Sequence, residues 1–145
     1  MDANKVIDRL YKFFVGFGIF IFIGTIVELS QLNHFGEELQ IVPFILLPLG
    51  ILLGLLMLFT KNPMIQKVAI IGMWVVAVGG MIGMIVHVSG NLESVFEGGQ
   101  KLAFGQMIKQ AIGGRNPLLA PGTLTIGAAM ILAVAYAKKA LAGKK

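Results

Sequence analysis

The chain has 145 residues, 57% of them apolar and 13% charged, with a mean hydropathy of +0.86; an ordinary soluble domain carries about 25% charged and about 45–50% apolar residues. It contains no cysteine, which excludes disulfides, thiolate nucleophiles and cysteine-held zinc or iron–sulfur centres. Its net charge of +5 sits on residues that flank apolar runs and builds no basic face interleaved with aromatics. That placement argues against nucleic-acid binding and for contact with anionic lipid.

A bilayer core about 30 Å thick needs roughly 20 apolar helical residues. The first such run extends over about 13–29 and follows Lys5, Arg9 and Lys12. It is long and ends in Gly24-Thr25-Ile26-Val27-Glu28 with no small-x-small cleavage pattern, so it reads as a retained anchor rather than a secretory signal. The second run covers about 41–59 and contains Pro48, which removes a backbone donor and is expected to kink the helix. Lys61-Asn62-Pro63 is a tight turn, making spans two and three an antiparallel hairpin. The third span runs over about 68–88. Gly50 and Gly54 on span two, and Gly79 and Gly83 on span three, have the spacing that lets helices approach closely in lipid. They point to a tightly packed hairpin pair.

The third loop is the long one. Over about 100–112, Leu102, Phe104, Met107, Ile108, Ala111 and Ile112 fall mostly on one helical face, opposite Lys101, Gln106, Lys109 and Gln110. This is the pattern of an amphipathic helix lying in the membrane interface. Gly113-Gly114 ends it, and Asn116-Pro117 is a cap and first-turn pair for a fourth span over about 118–137.

Orientation follows from the basic residues. Lys5, Arg9, Lys12, Lys61, Lys67, Lys138, Lys139, Lys144 and Lys145 fall on one side of a four-span chain, and Lys101, Lys109 and Arg115 on the other. The expected architecture is therefore an all-α integral membrane protein with a single domain over 1–145. It is a four-transmembrane-helix bundle with both termini cytoplasmic and an interfacial helix in the outer loop between spans three and four. A compact multi-pass chain without a targeting segment is expected in a prokaryotic inner (cell) membrane.

Candidate chemistry gathers on the outer side. Glu28, Glu37, Glu38, Glu93 and Glu97 lie there, as do His34 and His87. Glu28 is 15 residues past Phe13, so it lies about 22 Å into the core, and an ionisable group at that depth is a functional candidate. Gly24, one turn below, suggests that Glu28 faces inward. His87 is near the outer end of span three on the glycine face, which puts Glu28 and His87 at similar heights. Carboxylates with imidazoles suit a divalent metal held by Glu28, His34, Glu37, Glu38 and His87. Either His87 or His34 could instead ligate a haem or pigment. A proton relay and a plain register-fixing Glu28–His87 pair are the remaining readings.

The sequence holds no Ser/His/Asp set, no GxSxG and no phosphate-binding glycine loop, which leans away from an enzyme. Two functions of different class follow. One is a non-catalytic accessory subunit or homo-oligomeric component of a membrane complex, whose partners are the lipid bilayer, other membrane subunits or copies of itself. The alternative is a metal- or haem/pigment-binding membrane protein whose site opens to the outer face near Glu28 and His87.

Overall fold

The computed structural model describes residues 3–31, 38–99, 102–114 and 118–142. Among them the chain is all-helical, with four helices long and apolar enough to cross a membrane. An apolar helix satisfies its interior backbone donors and acceptors within itself, which is why such runs fold this way in lipid.

Helix α1 (Ala3–Gln31) has 29 residues and spans about 43 Å. It starts well ahead of its apolar run, because Lys5, Asp8, Arg9 and Lys12 tolerate helix in water or among headgroups. A short 3₁₀ turn, Glu38–Ile41, leads into α2 (Val42–Phe59), which is continuous through Pro48. Thr60 leaves the helix in an extended conformation. Asn62 then caps α3, its side chain accepting from Met64 N at 2.9 Å and Ile65 N at 3.4 Å, with Pro63 placed where no intrahelical donor is needed. Gln66 closes the turn from the other side. Its Nε2 donates to Met57 O and Thr60 O, both at 2.9 Å, and so satisfies carbonyls that the end of α2 leaves open.

Helix α3 (Pro63–Glu97) has 35 residues, about 52 Å. It continues well past the expected end near 88. The extension is held by Asn91, which is fully buried and donates from Nδ2 to Ala111 O at 3.1 Å. Gly99, at φ 64°, turns the chain in the left-handed region that glycine enters without a Cβ clash. Helix α4 (Phe104–Gly113) then folds back on this extension. Met107, Gln110 and Ala111 are partly covered, while Phe104, Ile108 and Ile112 form an exposed row at helical spacing. Helix α5 (Leu119–Ala142) completes the bundle; the expected Asn116–Pro117 cap lies outside the described residues.

Helices α2 and α5 each pack against both α1 and α3, and also approach one another. No described Cα of α1 comes within 8 Å of one of α3, so those two occupy the long diagonal. The glycines explain the arrangement and correct one expectation. Gly50 and Gly54 do not face α3: a Cβ on them would lie 2.7 Å from the Phe22 ring and 2.8 Å from Ile19 Cγ1, both on α1. Gly127 of α5 meets the same ring at 2.7 Å, so the fully buried Phe22 wedges between α2 and α5. On α3, Gly72 and Gly79 receive Leu53 and Leu46 of α2, whereas Gly80 and Gly83 approach Pro121 of α5.

The remaining α1 surface faces away from the bundle. Phe13, Phe17 and Phe20 stack there with centroids 6.0 and 6.3 Å apart, and Ile23 and Val27 are exposed beyond them. Trp74 Nε1 donates to Tyr136 Oη at 3.1 Å on the exposed surface of α3 and α5.

Candidate functional site

The bundle has two polar ends: a proximal one, at Ala3, the α2–α3 turn and the end of α5, and a distal one, with α4 and the first turns of α2 and α5. Of the expected site residues, Glu28 and His87 lie toward the distal end. Glu28 lies on α1, partly buried, and makes no hydrogen bond or ion pair with any described residue. Gly24 below it is exposed, and a Cβ there would meet nothing within 4 Å. The inward direction inferred from Gly24 is therefore overturned: Glu28 flanks the outward face of α1.

His87 lies on α3, across the long diagonal, and the two residues form no ion pair. The reason is topological. Similar depth on two helices brings side chains together only where the helices are neighbours, and α2 and α5 separate these two. His34 and Glu37 lie outside the described residues, and Glu38 opens the 3₁₀ turn. Among the described residues no three His, Asp or Glu side chains converge as a metal site would require.

What His87 does line is a cavity of about 190 Å³. All four spans contribute to it: Leu29 from α1, Pro43 and Leu46 from α2, Gly79 to His87 from α3, and Ala120 to Leu124 from α5. Gln40 and His87 are the polar side chains of its wall. Beside it, the hydroxyls of the buried Thr25 and the partly buried Thr123 meet at 2.9 Å. Each hydroxyl also lies within reach of a carbonyl of its own helix, Ile21 O and Ala120 O; with one proton apiece, one hydroxyl donates across to the other while the second donates to its own helix, which joins α1 to α5. The sequence carried a partial signal for the cavity in Gly79, Gly80 and Gly83. It held no indication that Pro121 would stand opposite them.

The proximal end holds a network that sequence reasoning missed. Tyr11, 4% exposed, donates to Met57 O at 2.7 Å, the carbonyl that also accepts from Gln66. Lys138 Nζ sits 4.1 Å from the Tyr11 ring centroid and 2.8 Å from Asp8 Oδ1. Lys12 reaches Asp8 Oδ2 at 2.9 Å. Asp8 precedes the apolar run, outside the hydrocarbon. The hydrogen bonds from Lys138 and Lys12 hold its carboxyl down at about 2. The network ties the start of α1 to the ends of α2 and α5 and the start of α3. It is a structural clasp between the helix ends.

Against known proteins, the chain matches no family profile, no curated protein sequence and no solved structure.

Proposed function

We propose that the protein is a non-catalytic, multi-pass component of a prokaryotic inner membrane, with both termini cytoplasmic, that associates laterally with another transmembrane helix through the outward face of α1. That helix belongs to a second copy of the chain or to a further subunit. The observation that carries this reading is Glu28: an ionisable side chain about 22 Å along a span of about 30 Å, partly buried, with no partner among the described residues. An acidic side chain at membrane depth costs on the order of 2.5–3.5 kcal/mol at the centre, less toward the boundary, unless a partner or water receives it. A neighbouring helix carrying a donor removes that cost, and the open surface at Gly24 lets its backbone come close.

The test is native mass spectrometry of the mildly solubilised protein, comparing wild type with Gly24→Leu and Glu28→Gln. Wild type should carry a second chain. Gly24→Leu should lose it while melting like wild type, because the added side chain meets nothing within its own chain. A bare, partnerless wild-type chain, in detergent and in native membranes alike, would sink the proposal.

The second reading, a distal metal or haem/pigment site, draws on His87 in the cavity wall. It requires His34, Glu37 or Glu38 to join His87 if the ligand is a metal. The same spectrum tests it: one extra mass per chain, with visible absorbance for a pigment, lost in His87→Ala.

A further inference from the structure

We propose that the distal cavity is a lipid site, taking a segment of one acyl chain from the bilayer leaflet at that end of the bundle. It rests on the bilayer placement of the four spans and not on lateral association through α1. The cavity is built by packing. Glycines of α3 draw α2 in at Leu46 and α5 in at Pro121 on two different sides, and the space between those two contacts stays open. At about 190 Å³ it exceeds the apolar cavity of about 150 Å³ that stays dry yet accepts benzene. Water gains little against such walls, and an empty void forfeits dispersion contacts along its whole lining.

The mouth shows where an occupant comes from. Val42, Ile82 and Val86 line the cavity and are also 41%, 56% and 43% exposed, on the flank between α2 and α3 that faces hydrocarbon. Depth agrees. Gly79 and His87 lie 11 and 19 residues past Val68, about 16 and about 28 Å along the helix in a core about 30 Å thick, so the cavity occupies one leaflet. Gln40 and His87 stand at its distal rim, the level of that leaflet's headgroups. A lipid chain descending beside them enters sideways with its polar head left at the interface.

The experiment reconstitutes the full chain in vesicles of phosphatidylethanolamine and phosphatidylglycerol that contain a phosphatidylethanolamine with a photoreactive diazirine on one acyl chain, and maps the labelled residues by peptide mass spectrometry. Label should concentrate on residues 82–87 and 120–124, about fivefold over exposed positions such as Ile71 and Ile126, the ratio that a preference near 1 kcal/mol produces. Ala120→Phe, which places a ring in the cavity, should reduce that label by a similar factor and leave labelling of Ile71 unchanged. Val86→Trp, at the mouth, should do the same without entering the packed interior, and matched elution and melting identify folded variants. Even labelling over all lipid-facing positions of wild type would overturn the proposal without any variant. So would unchanged cavity labelling in a folded Ala120→Phe or Val86→Trp protein. Loss of the second chain in Gly24→Leu leaves this labelling pattern in place, so the two proposals fail separately.

Discussion

The Tyr11 hydroxyl donates to the Met57 carbonyl at 2.7 Å, joining the third turn of α1 to the last turn of α2 at the proximal end. Met57 O receives Gln66 as well, and this double acceptance sets what each deletion costs. Tyr11→Phe should lose about 0.5–1.5 kcal/mol, toward the low end because the carbonyl keeps a donor. Gln66→Leu should cost more, since Thr60 O loses its side-chain donor too. The double variant should exceed the sum of the singles, because only then is Met57 O left without either side-chain donor. Thermal unfolding in mild detergent reads all three, and strict additivity would count against a shared acceptor.

Phe22 separates glycines that pack from glycines that do not. Gly50→Ala and Gly127→Ala force a methyl to within 2.7 Å of the Phe22 ring and should each destabilise by about 1–3 kcal/mol. Gly16→Ala and Gly24→Ala meet nothing within 4 Å in their own chain and, measured on the partner-free chain, should be neutral or stabilising by up to about 1 kcal/mol, the helix-propensity gain over glycine. Melting temperatures of the four variants, measured side by side, give the comparison.

The Asp8 clasp carries a pH signature. Its folded carboxyl, held at about 2, lies below the ordinary 3.8, so its contribution is present above the unfolded value and is lost as pH falls through the folded one. The difference in melting temperature between wild type and Asp8→Asn should be flat from neutral pH to about 5, shrink below about 4 and vanish only below about 2. Asp8 and Lys138 side chains are 40% and 43% exposed. Screening therefore keeps the contribution under about 1 kcal/mol, and added salt should reduce it.

Asn91 fastens α4 to the long helix through Ala111 O. Asn91→Ala should free α4 while leaving the four spans intact. Limited proteolysis should then cut within 102–114 faster than in wild type, with the main unfolding transition little changed. Unaltered cleavage would mean that apolar contact alone holds α4.

Reporter fusions test the orientation directly. A fusion at Lys145, or between Lys61 and Lys67, should read cytoplasmic, and one at Gly98 should read outside, as the basic residues require. A cytoplasmic Gly98 would invert every assignment of the distal end.

By itself the sequence determined the four apolar helices, the Asn62–Pro63 turn between α2 and α3, and an amphipathic segment before α5. Hydropathy, capping and turn chemistry act over a few residues, so they can be read along the chain. It also marked Gly50, Gly54, Gly79 and Gly83 as places of close approach. Which helix approaches was decided only in three dimensions. A glycine opens a groove to any neighbour, and in lipid, where burial supplies little preference between partners, the fit of side chains distant in sequence makes the choice. Phe22 fills Gly50 and Gly127 together, which seats α1 against α2 and α5 and puts α3 across the diagonal. That one packing choice separates Glu28 from His87, leaves Glu28 on the outward face, and sets His87 beside a cavity whose opposite wall, at Pro121, lies more than thirty residues further along the chain.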